Sequence, residues 1–165
     1  MKELFDKISS YNIFNYLLPG ILYAVAISEF TRLNLLQDDI VIGLFLYYFI
    51  GLIISRIGSF VVEPVFRKLK VLKITSYSEF LAASEKDKKI ETLSESNNMY
   101  RTLIALFLTF FLTKLYLFLV QNFQWIGDEA VYILATLLLF IFILSYRKQS
   151  KYIAKRIHLY SGKEE

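Results

Sequence analysis

Polar and apolar positions divide the chain into four long apolar runs, residues 13–30, 40–62, 102–120 and 125–146, separated by polar connections. A bilayer's hydrocarbon core is about 30 Å thick and needs roughly 20 helical residues at about 1.5 Å of rise each, so every run has the length of a membrane span. None alternates with period two, as lipid-facing strands must, and an unpaired backbone amide in hydrocarbon costs several kcal/mol. The pattern therefore predicts an all-α, integral membrane protein with four transmembrane helices in a single membrane domain, residues 1–165. A short helical loop (67–101) and a basic helical C-terminal tail (147–165) complete it.

Local signals refine the elements. Pro19-Gly20 predicts a kink or a first turn early in the first span, and residues 3–18 an interfacial amphipathic helix. In the loop, Ser76 and Glu79 form a capping box ahead of Phe80-Leu81-Ala82-Ala83, predicting a short helix there. A second turn falls at Lys86-Asp87-Lys88-Lys89, and Asn97 and Asn98 are expected caps for the helix that enters the third span at Arg101.

Composition supports lipid over a soluble core. Of 165 residues, 56% are hydrophobic and 17% aromatic, more than a domain of this size hides. With no cysteine, disulfides and thiolate metal sites are excluded. Acids among the first lysines, and no small-residue cleavage site, predict that the N-terminus is retained. Lys and Arg are distributed unevenly: two precede the first span, eight lie in the loop and six in the tail, whereas Arg32 alone sits in the opposite connections. Basic loops stay on the cytoplasmic side, so both termini and the loop are expected there.

Within the second span Gly51, Ser55 and Ser59 recur at intervals of four, with Gly58 close by. Small residues let helix backbones approach where lipid competes equally for apolar side chains. The face suits packing inside one bundle or between copies. Arg56, ~24 Å of helix from the span's start, either snorkels to headgroups or serves a pore or ion pair; Glu63 of a neighbouring chain is its candidate partner. Lys114 with Thr109 and Thr113 either snorkels outward or belongs to a polar strip along an anion-favouring path.

Two basic segments flank the spans: Arg67, Lys68, Lys70 and Lys73, and Arg147, Lys148, Lys151, Lys155 and Arg156. Each reads as a positive-inside anchor or, with interleaved tyrosines, as half of a surface for a polyanion such as a nucleotide or nucleic acid. Proton-relay carboxylates are missing from the spans, which disfavours coupled transport. His158 has no partner at metal-ligand spacing, and neither a phosphate-cradling loop nor a nucleophile elbow occurs. No catalytic residue, metal site or cofactor is expected; a lipid-acting enzyme would have to rely on Glu63 and Arg67.

The four-span plan, the opening Leu17-Leu18-Pro19-Gly20, the Ser94-Glu95-Ser96-Asn97-Asn98-Met99-Tyr100-Arg101 approach to the third span and the basic tail together resemble the small membrane effectors of bacterial anti-phage defence systems. The likeness is greatest to the Hailong transmembrane effector, and the Kiwa membrane subunit has a similar outline. The resemblance implies a homo-oligomeric channel, a tetramer, in the bacterial inner membrane. It further implies closure by short single-stranded DNA from a partner nucleotidyltransferase, and opening during infection that depolarises the host. Residues alone leave open a non-conducting anchor or sensor that recruits a cytoplasmic partner.

Overall fold

A computed structural model describes residues 10–73 and 75–161. All regular structure among them is helical. Helix α1 (residues 10–30) leads through an irregular connection to α2 (Ile40–Lys68), followed by the loop helix α3 (Tyr77–Lys86), the long α4 (Lys89–Asn122), a short α5 (Gln124–Asp128) and α6 (Ala130–Ser161). Four of these, α1, α2, α4 and α6, are long and apolar enough to cross a membrane. Residues 3–9 of the predicted N-terminal interfacial helix lie outside the described residues; residues 10–18 belong to α1 itself.

Both prolines of the chain follow a five-residue turn of π-helix. Ile13–Leu17 precedes Pro19, and Gly58–Val62 precedes Pro64. A proline lacks the N–H that would bond the carbonyl four residues back, and its ring crowds that carbonyl. In each helix that earlier residue, Asn15 or Phe60, lies in the π turn, where i→i+5 bonding widens the ladder without ending the helix.

Helices α1, α2 and α4 form a tight core. Gly20 lies against the Tyr47 carbonyl and Gly51 against the Tyr16 carbonyl, so closely that a Cβ on either would collide with backbone. These two glycines set the spacing of α1 and α2. Further along, Ile54, Val62, Ala105 and Leu106 form an apolar cluster joined by Tyr23, Ile57 and Phe66. Burial falls from 33% of the first span to none of the fourth. Helix α6 is held by discrete points, with Phe142 beside Phe49 and Tyr152 beside Tyr77.

Helix ends follow local chemistry. Asp39 caps α2 by accepting from the N–H groups of Val41 and Ile42, and Ser76 with Glu79 forms the reciprocal capping box of α3. Helix α2 closes in a Schellman turn: Val71 N–H bonds the Phe66 carbonyl and Lys70 N–H that of Arg67, with Lys70 at φ 59°. Asn97 and Asn98 do not cap anything, because α4 starts at Lys89 and runs through them; a residue inside a helix has no orphan donors to satisfy. The fourth long helix begins at Ala130, later than residue 125. Trp125 belongs to α5, and the chain breaks at Glu129 before α6 starts.

Candidate functional site

Where the apolar runs of α2, α4 and α6 end, three residues converge. Glu63 closes the apolar part of α2, Arg101 opens that of α4, and Lys148 lies just past that of α6. Arg101 Nη1 is 2.8 Å from Glu63 Oε2, and Lys148 Nζ is 3.6 Å from the same oxygen. One turn further along α2, Arg67 Nη2 lies 3.5 Å from Oε1. Every ion pair among the described residues shares Glu63.

The surrounding backbone makes this possible. Gly58 brings α2 against α4 at the Arg101 carbonyl, where a Cβ would sit at 3.2 Å. Ser59, in the π turn, accepts a 2.5 Å bond from Lys148 Nζ, and the rings of Phe60 and Tyr152 flank that ammonium at 5.8 and 6.0 Å. Glu63, Arg101 and Lys148 keep 20%, 22% and 28% of their side-chain surface, so the cluster is half-sunk between helices. The buried Nε of Arg101 has no acceptor among the described residues. Arg56 makes no hydrogen bond or ion pair among the described residues.

Deeper in the core a neutral polar knot ties three helices. Asn15, in the π turn of α1, donates from Nδ2 to Tyr11 OH (3.2 Å) and to Ser55 Oγ (3.3 Å), and its Oδ1 accepts from Thr102 Oγ1 at 2.9 Å. Thr102 also lies 2.9 Å from the Asn98 carbonyl of its own helix. Asn15, Ser55 and Thr102 are all buried. Such a set, each member paired, fixes the register of α1, α2 and α4.

The small-residue face is spent inside the chain. Gly51 meets α1, Ser55 the polar knot, Gly58 α4, and Ser59 the α6 lysine. At the opposite end of the core Lys114 Nζ donates to the Phe30 carbonyl at 2.8 Å, satisfying a C-terminal carbonyl of α1. Thr113 Oγ1 lies 2.6 Å from Tyr23 OH, and Thr109 donates to the Ala105 carbonyl. Thr109, Thr113 and Lys114 thus direct their polar atoms to partners in the same chain.

The basic residues separate into two groups. Lys148 and the exposed Arg67 reach the Glu63 cluster, and Lys68, Lys70, Lys73, Arg147, Lys151 and Lys155 are exposed as well. Arg156 stacks over Tyr160, whose hydroxyl donates to Glu85 Oε1 at 2.5 Å. Together with Tyr77 and Phe80 they line a cleft of ≈ 330 Å³ between the tail and α3. Arg101, Asn15 and Thr102 were not singled out as site residues by sequence reasoning. A polar residue close to each end of a span was the available signal, but what it pairs with depends on another helix.

No protein family, curated protein or solved structure matches the chain.

Proposed function

We propose that the protein is one subunit of a homo-oligomeric, ligand-gated ion channel that acts as a membrane effector of anti-phage defence in the bacterial inner membrane, its termini and loop cytoplasmic. The observation that carries this reading is the state of α6. It is 32 residues long, has no buried residue, and is fastened to a core that backbone contacts at Gly20 and Gly51 have already closed. A core packed so tightly leaves no aqueous path through one chain, so conduction requires several copies with α6 between them.

Orientation rests on the positive-inside distribution of Lys and Arg. The exposed basic residues of the loop and tail offer phosphate contacts for a short single-stranded DNA or nucleotide, the ligand that the resemblance implies. The absence of cysteine allows a clean test. Single cysteines placed at exposed positions of α6, such as Phe140→Cys and Leu137→Cys, should cross-link copies in native membranes. Monomers alone, in membranes and by mass analysis in mild detergent, would remove the channel reading.

A second reading has its own observation. The α3 helix and the tail of α6 form a docked platform with a cleft outside the apolar runs, which suits a non-conducting anchor or sensor that recruits a cytoplasmic partner. Co-purification of such a partner together with absent ion flux would favour it.

A further inference from the structure

We infer that the cluster around Glu63 is a binding site for the phosphate of an anionic phospholipid. The inference needs the four long helices to cross a bilayer, and it is independent of whether the protein conducts ions.

Charge balance is the first ground. Arg67, Arg101 and Lys148 all pair with one carboxylate. One acid against three cations leaves a local excess of positive charge. Donor capacity is the second. A carboxylate offers about four lone-pair sites, whereas each guanidinium carries five N–H donors and the ammonium three. Among the described residues Glu63 and Ser59 accept from these cations, fewer acceptors than the donors present, and the buried Arg101 Nε has none. An anion with several acceptor oxygens would meet this deficit.

Depth selects the source of that anion. Glu63, Arg101 and Lys148 mark the same end of the apolar runs of three helices, which in a bilayer is the level of the lipid phosphates. Phe60 and Tyr152 beside Lys148 supply apolar surface at that depth. Phosphodiesters are always present there at high local concentration. A neutral zwitterionic headgroup brings its own cation to the site and gains less from the excess positive charge.

The full chain in nanodiscs of mixed phosphatidylcholine and phosphatidylglycerol, released into native mass spectrometry, reads the lipid directly. Phosphatidylglycerol should be retained in preference to phosphatidylcholine. Arg67→Gln, which removes the exposed cation of the cluster, should lower that preference roughly fivefold, the effect expected for one cation near the surface. Lys148→Gln should lower it at least as much, while Lys114→Gln at the other end of the core should leave it unchanged. Equal retention of the two lipids by the wild type, or an unchanged preference in both Arg67→Gln and Lys148→Gln, would overturn the inference. Thermal stabilisation by inorganic phosphate in phosphatidylcholine discs, equal to that by phosphatidylglycerol, would assign the site to a soluble anion and overturn it as well.

Discussion

Glu63 on α2 and Arg101 on α4, 38 positions apart in sequence, meet at 2.8 Å where the apolar runs of the two helices end. The same carboxylate also pairs with Lys148, so with Ser59 it is one of the points at which α6 is fastened to the core. Removing one partner of a half-buried set leaves the others desolvated and unpaired, which costs more than the pair contributes net. Glu63→Gln should therefore lower stability by roughly 2–4 kcal/mol, read as a lower unfolding temperature in detergent. The double variant Glu63→Gln/Lys148→Gln should lose less than the sum of the single losses. Strict additivity would mean that the two side chains do not interact.

The close approach of α1 and α2 gives a sharper contrast. Gly20→Ala and Gly51→Ala each drive a Cβ into a backbone carbonyl that cannot rotate away. Each should abolish folding or destabilise by more than about 3 kcal/mol. Gly127→Ala meets only the Cγ1 of Val120 at 3.0 Å, a side chain free to shift, and should be nearly neutral. Membrane-fraction yield and fluorescence-detected size exclusion separate these outcomes.

The four spans were legible because lipid imposes a length on apolar runs that no local signal overrides, and the capping box at Ser76 and Glu79 was legible because its chemistry is contained in four consecutive residues. Pairings were not. Glu63 suggested a partner in a neighbouring chain, Arg56, because the two share a helix face; which basic residue reaches it depends on how α2, α4 and α6 are arranged. The two π turns could not be read either. A proline signals a break or a kink, while a widened ladder also depends on partners from other helices, such as Ser55 for Asn15 and Lys148 for Ser59.

Asn15 tests the polar knot. In Asn15→Ala, Tyr11 and Ser55 each lose a donor, whereas Thr102 falls back on the Asn98 carbonyl. The expected loss is about 1–3 kcal/mol, and Thr102→Val should cost less in the Asn15→Ala background than in the wild type. An equal cost in both backgrounds would show that the two residues are not coupled.

Lys70 occupies the left-handed position that closes α2, where glycine adopts φ > 0 without steric cost. Lys70→Gly should raise stability by about 0.5–1 kcal/mol, despite removing a charge, and Lys70→Val should lower it. A thermal melt of the two variants beside the wild type reads the sign.

Channel activity is read from ion flux out of liposomes that hold the purified protein at a defined oligomeric state. The oligomer should pass ions, with flux suppressed by short single-stranded DNA and less readily suppressed in a variant with Lys151 and Lys155 both changed to Gln. A purified, correctly inserted protein that passes no ions with or without DNA would rule out a channel and leave the anchor or sensor as the better reading.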